Sequence, residues 1–276
     1  MTISTADFSF VADMVRQRSA IDLQPGKEYL VEARLGPVAL TTGMPDVGAL
    51  VRRLRVGDPH LRDAVVEALT TNETLWFRDA VPFQVFSRHL LPEVAAASPD
   101  RRLVIWSAAC SSGQEAYSLA ILLLDWLGPN PGYTAEVIGT DISTQMVDRA
   151  RSGRYSQLEV ARGAEGHLHK YFQRAGTDWQ VKPEVRELVR FSQGNLALPP
   201  VDIPLCDVIF LRNVLIYFDA PTKRRVIEYA RTRLRLGGFL VLGGAESVPS
   251  LGPVWQRRDL DRVVAFQHTG GTSDGR

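Results

Sequence analysis

The sequence predicts a doubly wound α/β domain with a mostly parallel sheet, preceded by a helical N-terminal domain and carrying a small antiparallel β insert. Three patterns carry this. From about residue 100 short apolar runs alternate with amphipathic stretches; before that the chain reads as helical; around 155–195 the alternation breaks. Strands that are apolar on both faces need helices on both faces, which is the arrangement of a parallel sheet.

The elements follow in order. Residues 1–70 form the helical domain. "FSFVADMVRQRSAI" sets Phe8, Val11, Met14 and Val15 on one helical face, and "VGALVRRLRVG" and "LRDAVVEALT" are two further amphipathic pieces. Punctuation at Pro25-Gly26, Gly36-Pro37 and Asp58-Pro59 separates them. Residues 71–269 form the sheet domain. "RLVIWSA" is its first strand and "QEAYSLAILLLDWL" the helix after it. "TAEVIGTDIS" is a second strand, followed by "TQMVDRARSG". "CDVIFLRN" is a third, then a Pro-opened helix, "APTKRRVIEYARTRLRL", ending at Gly237-Gly238, and "GGFLVLGG" is a fourth strand. Within 155–195 "DWQVK" and "ELVRFSQ" alternate like antiparallel strands and define the insert. Residues 270–276 read as a disordered tail.

A net charge of +1 gives no global drive toward nucleic acid or an anionic membrane. No apolar run of eighteen and no apolar signal core are present, so export, membrane insertion and a membrane span are not expected, and a cytoplasmic location is. Cys110 and Cys206 are too few for a disulfide framework and read as reduced thiols.

Ligands of open α/β sheets bind beyond the carboxyl ends of the strands. There the loop Ser107–Glu115 opens a helix with tiny side chains, offering main-chain N–H groups at a positive dipole end. It reads either as a nucleotide-like site or as a tight turn that needs small residues to pack. A P-loop is excluded, because no Gly-Lys-Ser/Thr follows, and Gly113 alone does not make a dinucleotide fingerprint. Asp141 ends the second strand, where an acidic residue commonly meets ribose hydroxyls; capping the next helix is its other reading, shared with Ser143 and Thr144. Asn72, Thr74 and Arg78 stand among Leu75, Trp76 and Phe77 without sharing a helical face. Arg212 and Asn213 close the third strand and need partners if buried. Tyr217, a turn further on, reads as core or as a site residue.

Seven blocks, "TNETLWFRD", "WSAACSSGQEAYSLA", "IGTDIS", "GRY", "VRFSQGNL", "FLRNVLIYFD" and "GGFLVLGGAES", occur in the order and approximate spacing of the chemoreceptor glutamate methyltransferases. The chain resembles this family, the CheR family, from "PGKEYLVEARL" to the last sheet strands. The resemblance implies a Rossmann-like methyltransferase sheet and an S-adenosylmethionine-dependent enzyme that esterifies glutamates on the cytoplasmic helical bundle of chemoreceptors. It implies cofactor contacts at Asn72, Thr74, Arg78, Glu115, Asp141, Asn195, Leu196, Arg212 and Asn213. Glu115 or Asp141 would hold the ribose or the cationic end, Asn195 and Leu196 would flank the adenine, and Arg78 and Tyr217 would face the reacting centre. Ala108 and Ala109 would leave room for the methionine tail and ribose. The family usually has Glu-Glu-Pro where this chain has Gln114-Glu115-Ala116, and Phe-Phe-Arg where it has Trp76-Phe77-Arg78, so Trp76 is expected to reshape the pocket wall.

Such a transfer needs no general base, since a glutamate with a pKa near ~4.3 is ionised at neutral pH and is itself the nucleophile. His60, His89, His167, His169 and His268 all fall outside the blocks, and no metal is expected. Arg52 and Arg55, on one face of a short helix with Arg53 beside them, are a solvated face or, by the resemblance, the basic surface that meets the receptor's acidic methylation region. The 155–195 insert is similar to the family's β-subdomain, which in some members binds a receptor C-terminal peptide. Two other classes are weighed against this one. A regulatory protein that binds the cofactor without turnover is kept open by Gln114, Ala116 and Trp76; an NAD-dependent dehydrogenase is disfavoured by the missing glycine fingerprint.

Overall fold

The computed structural model describes residues 3–198, 202–248 and 251–270, so positions 271–276 of the expected tail lie outside the described residues. The chain divides into two compact units: Met1–Thr71 with Tyr217–Thr222, and Asn72–Ile216 with Lys223–Arg276.

The first unit contains α1 (Thr5–Ser19), α2 (Glu28–Thr41), α3 (Val47–Val56) and α4 (Pro59–Leu69). The helices start where short polar side chains accept orphan main-chain N–H groups: Ser4, Asp46 and Asp58 cap α1, α3 and α4. The face set by Phe8, Val11, Met14 and Val15 is the buried face of α1. One boundary is corrected. Gly36-Pro37 does not separate two elements; α2 runs through it. Pro37 removes one N–H, but Val31, Leu35 and Ala39 continue a single buried stripe across it, and that packing outweighs the lost hydrogen bond. At the end of this unit Asp219 accepts from Thr222 N–H and Arg16, which holds its carboxyl down at about 2.

The second unit begins with α5 (Val81–Val85), which passes through a π turn (Phe86–Leu90) into α6 (Leu91–Ala97). Then come β1 (Arg102–Ala108), α7 (Gln114–Leu127), β2 (Thr134–Asp141) and α8 (Thr144–Ser152). The insert follows with β3 (Arg154–Tyr155), α9 (Gln157–Ala161), α10 (Leu168–Tyr171), β4 (Phe172–Ala175), β5 (Asp178–Val181) and α11 (Pro183–Arg186). β6 (Val189–Gln193), β7 (Cys206–Leu211), α12 (Ala220–Thr232) from Lys223 onward, β8 (Leu234–Leu242), β9 (Trp255–Leu260) and β10 (Val263–His268) complete it. The main sheet has seven strands in the order β6-β2-β1-β7-β8-β10-β9, parallel through β8 and closed by the antiparallel hairpin β9–β10. Leu103 through Trp106 are wholly buried, as a central parallel strand requires. Among the described residues no helix is long and apolar enough to cross a membrane. Cys110 and Cys206 are free and buried.

The small sheet β3-β5-β4 is antiparallel and contains the predicted "DWQVK" strand. "ELVRFSQ" does not belong to it. β6 joins the main sheet as its edge, parallel to β2, with Asp141 opposite Gln193. An edge strand half covered by helices alternates like an antiparallel one, which is why its pattern misleads. The helix expected to run to Gly237-Gly238 ends at Thr232, and β8 begins at Leu234. The glycines sit at an irregularity in the β7–β8 register, and a Cβ on Gly238 would come within 2.8 Å of the Asp207 carbonyl oxygen.

Candidate cofactor site at the carboxyl edge of the sheet

The turn between β1 and α7 is held from three sides. Ala109, Ser111 and Gly113 take left-handed backbone, with φ of 64°, 49° and 93°. At Gly113 a Cβ would also sit 2.8 Å from Ala150 Cβ and 3.2 Å from the Tyr155 hydroxyl, so the glycine is required by space as well as by torsion. Ser111 N–H donates to Asp141 Oδ2 at 2.7 Å, Ser111 Oγ donates to the Asn72 carbonyl at 2.8 Å, and the Tyr155 hydroxyl donates to the Ser112 carbonyl at 2.6 Å. Asp141 is not the cap of α8; Ser143 is, through Met146 N–H. Asp141 Oδ1 instead accepts from Ser143 N–H at 2.9 Å, and its carbonyl accepts from Gly194 N–H, which sets the Asn195-Leu196 loop beside it.

A second cluster is built around Arg212, whose side chain is 0% exposed at the end of β7. Its Nη1 donates to Glu115 Oε2 at 2.9 Å, while Glu115 Oε1 accepts from Ser107 Oγ at 2.8 Å. Its Nη2 donates to Asp79 Oδ2 at 2.7 Å and to the Arg78 carbonyl at 3.0 Å. Its Nε is buried with no partner in the protein. The Arg78–Asp79 segment is itself strained: Phe77, Asp79 and Ala80 are non-glycine residues with φ of 46°, 68° and 47°. The "TNETLWFRDAVPF" stretch is therefore not one capped helix; helix begins only at Val81. Arg212 holds this turn to the first turn of α7.

The donor set suits a cationic adenosine. Ribose hydroxyls and an ammonium need acceptors, and Glu115 and Asp141 are buried carboxylates beside the turn. A carboxylate needs a donor, and the unpartnered Arg212 Nε is one. Asn72, Thr74, Ser112 and Gln114 line a cavity of about 320 Å³ together with Arg149 and Arg162. Ala108 is buried at the end of β1, and Asn213 takes φ of 60°.

Residues 72–263 match the CheR methyltransferase SAM binding domain, and residues 6–70 the CheR methyltransferase all-alpha domain. The chain belongs to the CheR methyltransferase family. It is 40% identical over 256 residues to the chemotaxis protein methyltransferase of Vibrio anguillarum, covering 91% of this chain and 92% of that one. Chemotaxis protein methyltransferase 1 of Pseudomonas aeruginosa is 39% identical over 256 residues, with 91% and 93% covered. The cofactor of this family domain is S-adenosylmethionine.

Within this CheR domain the structure joins Glu115 to Arg212 directly, and Asn72 to Asp141 through Ser111. Arg78 directs Nη1 to the Glu73 carbonyl at 2.9 Å. Asn195 turns its Oδ1 to Ala197 N–H, and Leu196 is buried. Tyr217, Arg52, Arg53 and Arg55 fall in the helical unit. There Tyr217 accepts at its carbonyl from Asp22 N–H. Arg55 is tied to Asp7 at 3.1 Å and lies over the Phe10 ring, and Arg53 stands 3.8 Å from Asp58.

Trp76 corrects an expectation. It does not wall the pocket; it is 2% exposed, edge-on to Tyr155 and Phe172 at 4.9 and 5.0 Å, and its main chain presses on Gly163. Four residues that sequence reasoning missed complete the site: Ser107, Asp79, Tyr155 and Glu246. Glu246 accepts from the N–H groups of Val214 and Leu215, both at 2.9 Å, and of Gly243 at 2.5 Å, pinning the chain just after Asn213. Burial pushes its carboxyl up, against those three bonds. Tyr155 and Glu246 lie in the "GRY" and "GGAES" blocks, but their partners are distant in sequence or are main-chain atoms, which no pattern announces. Burial also drives the Cys110 thiol and the Tyr155 phenol well up, which makes neither a nucleophile.

Proposed function

We propose that this chain methylates glutamate side chains on the cytoplasmic helices of chemoreceptors, forming methyl esters in sensory adaptation, and that it works in the cytoplasm. The observation that carries the reading is the buried Arg212, which joins Glu115 to Asp79 beside the turn that Asp141 holds. It offers donors and acceptors for a cationic nucleoside and puts Arg78 on the same strained turn. S-adenosylmethionine, when bound, supplies a methyl carbon activated by its sulfonium. Asn72, Thr74, Ala108, Glu115, Asp141, Asn195, Leu196, Arg212 and Asn213 hold it in this reading.

The rest of the chemistry is alignment. The acceptor carboxylate is ionised at neutral pH and needs no base, and orientation alone is worth roughly 7–11 kcal/mol in favourable cases. Arg78 spends one N–H on Glu73 and keeps others to draw the carboxylate in. Its grip must stay loose, because the nucleophile loses its charge as the ester forms and a tight ion pair would favour the ground state. Tyr217 fixes the carboxylate's angle by a hydrogen bond, as the resemblance implies, and Arg52 with its neighbours meets the acidic receptor surface. The three departures that keep a non-catalytic regulator open stand at packed positions. Gln114 Oε1 accepts from Ser112 Oγ, Ala116 is wholly buried, and Trp76 is core.

The test is incubation with labelled S-adenosylmethionine and receptor cytoplasmic fragments. Base-labile label on glutamate is the expected result. Tight binding of S-adenosylhomocysteine with no transfer to any receptor fragment would return the regulator.

A further inference from the structure

The segment that carries Arg78 is held from two directions. From the sheet, Ser118 Oγ of α7 accepts from Phe77 N–H at 3.0 Å, and Arg212 donates to the Arg78 carbonyl and the Asp79 carboxylate. From the other direction comes the insert, β3 through α11. The Trp76 ring is edge-on to Tyr155 of β3 and Phe172 of β4, with centroids 4.9 and 5.0 Å away. The Phe77 ring stacks on the half-buried His167 imidazole, with 4.6 Å between centroids and 22° between planes. Between these contacts Gly163 of the insert, at φ of 108°, comes so close that a Cβ would stand 2.2 Å from the Trp76 carbonyl oxygen.

We infer that the insert is a brace for Arg78, with His167 as a positioning residue that fixes where the guanidinium stands relative to the cofactor turn. This rests on the role proposed above for Arg78 and goes beyond the peptide docking that the resemblance implies for some members. Strain is the first reason. Phe77, Asp79 and Ala80 hold left-handed backbone, and non-glycine residues stay there only where their surroundings over-determine them. Arg212 grips the turn through the Arg78 carbonyl and Asp79, whereas the two rings that lead into it are gripped by the insert. Without the His167 face, Phe77 keeps only its edge-on neighbour Phe83, at 5.5 Å, among the ring contacts of the described residues. Arg78 is the next residue, and its guanidinium bonds to the Glu73 carbonyl within the same segment, so it moves where that segment moves.

Tyr155 is the second reason. Its ring packs on Trp76 while its hydroxyl donates to the Ser112 carbonyl of the β1–α7 turn at 2.6 Å. One side chain of the insert thus touches both the Arg78 segment and the turn assigned to the cofactor. An in-line transfer is sensitive to that spacing, since a misplacement of about 1 Å can cost ~10²-fold in rate. A module that only docks a peptide needs neither contact.

His167→Ala removes the stack and His167→Phe keeps it. Both are made in the full-length protein, alone and combined with Arg78→Ala. Steady-state methylation of a purified receptor cytoplasmic fragment is measured beside the urea midpoint and S-adenosylhomocysteine affinity from calorimetry. His167→Ala should lower kcat about tenfold, with KM for the fragment and cofactor affinity within about twofold of the parent, and His167→Phe should restore kcat. The loss should vanish in the Arg78→Ala background, because a residue that acts through Arg78 then has nothing left to place. An unchanged kcat in His167→Ala, a loss confined to KM, or a loss of equal size without Arg78 would overturn the inference while leaving the reaction intact. No transfer by the parent protein, or an undiminished kcat in Arg78→Ala, is a different result and would remove the role of Arg78 together with the brace.

Discussion

Two groups of arginines carry the same charge in this chain and do different things. Arg212 is wholly buried at the end of β7 and divides its guanidinium among Glu115, Asp79 and the Arg78 carbonyl. Arg52, Arg53 and Arg55 sit on the exposed side of one helix, and the two ion pairs they form, at 3.8 and 3.1 Å, join side chains that water reaches. A buried ion cannot be left without partners, so its neighbourhood is specified by the fold; an exposed one exchanges its partners for water at little cost. Burial, more than charge, decides which arginine organises a site.

Arg212→Ala is the severest way to test that contrast. It strands the Glu115 carboxylate in a nearly closed site and frees the strained 77–80 turn. Removing one partner of a buried pair costs about 3–5 kcal/mol, so the urea midpoint should fall sharply and S-adenosylhomocysteine binding should be lost. Arg212→Lys should recover part of the stability and little of the binding, since an ammonium cannot span two carboxylates and a carbonyl. A midpoint unchanged in Arg212→Ala would mean that the guanidinium is a passenger.

Asp141→Ala comes next. It removes the acceptor of Ser111 and Ser143 N–H as well as the expected ribose contact, and cofactor affinity should drop by roughly 1–3 kcal/mol. Calorimetry decides; an unaltered affinity would withdraw the ribose role and leave Asp141 a loop anchor.

Asp207 is an intermediate case, a buried carboxylate whose nearest cation, Arg235, stands 3.7 Å away at the other end of the sheet's β7 strand. Desolvation pushes its carboxyl up. A folded pKa above the unfolded value means that the fold binds this proton more tightly. Its stability contribution is then present at low pH and lost as pH rises from ~3.9 through the folded pKa. Asp207→Asn keeps an acceptor for Val104 N–H, now 2.7 Å from Asp207 Oδ2, and stops titrating. The variant should therefore gain on the parent as pH rises from ~3.9 through the folded pKa in urea unfolding. A difference that does not vary with pH would place the penalty elsewhere.

The contrast also marks what the sequence could reveal. β1 occupies the "RLVIWSA" run residue for residue, because an apolar segment bounded by polar ends has few other ways to bury both faces. Arg212 and Asp141 were legible as polar residues at the carboxyl ends of such strands, and Glu115 only through the family resemblance. Tyr155 was not: it holds the β1–α7 turn through Ser112, which lies 43 residues earlier in the chain, and local pattern carries no such pairing. Leu234–Leu236 read as helix because the preceding helical period runs into them, and only pairing with β7 makes them strand. Trp76 was misplaced for a related reason, since the Tyr155 and Phe172 rings that enclose it come from the insert.

The mildest substitution is Arg55→Ala, and it tests whether the basic helix is a binding surface or a solvated face. Arg55 donates to Asp7 and to the Ala6 carbonyl, and its guanidinium lies 4.3 Å from the centre of the Phe10 ring. Exposed ion pairs contribute about 0–1 kcal/mol and exposed cation–π contacts about as much, so stability should fall only slightly. These contacts also commit Arg55 to α1 and draw it away from any receptor, whereas Arg52 makes no ion pair within 4 Å among the described residues of its unit. Methylation of a receptor fragment should therefore respond more to Arg52→Ala than to Arg55→Ala, through KM and not kcat. Equal responses would mean that the helix acts by its summed charge, and raised salt would then erase both effects together. A larger response at Arg55 would show that its bond to Asp7 opens when the receptor docks, and the helical unit would then resemble the Arg212 cluster more than its exposure suggests.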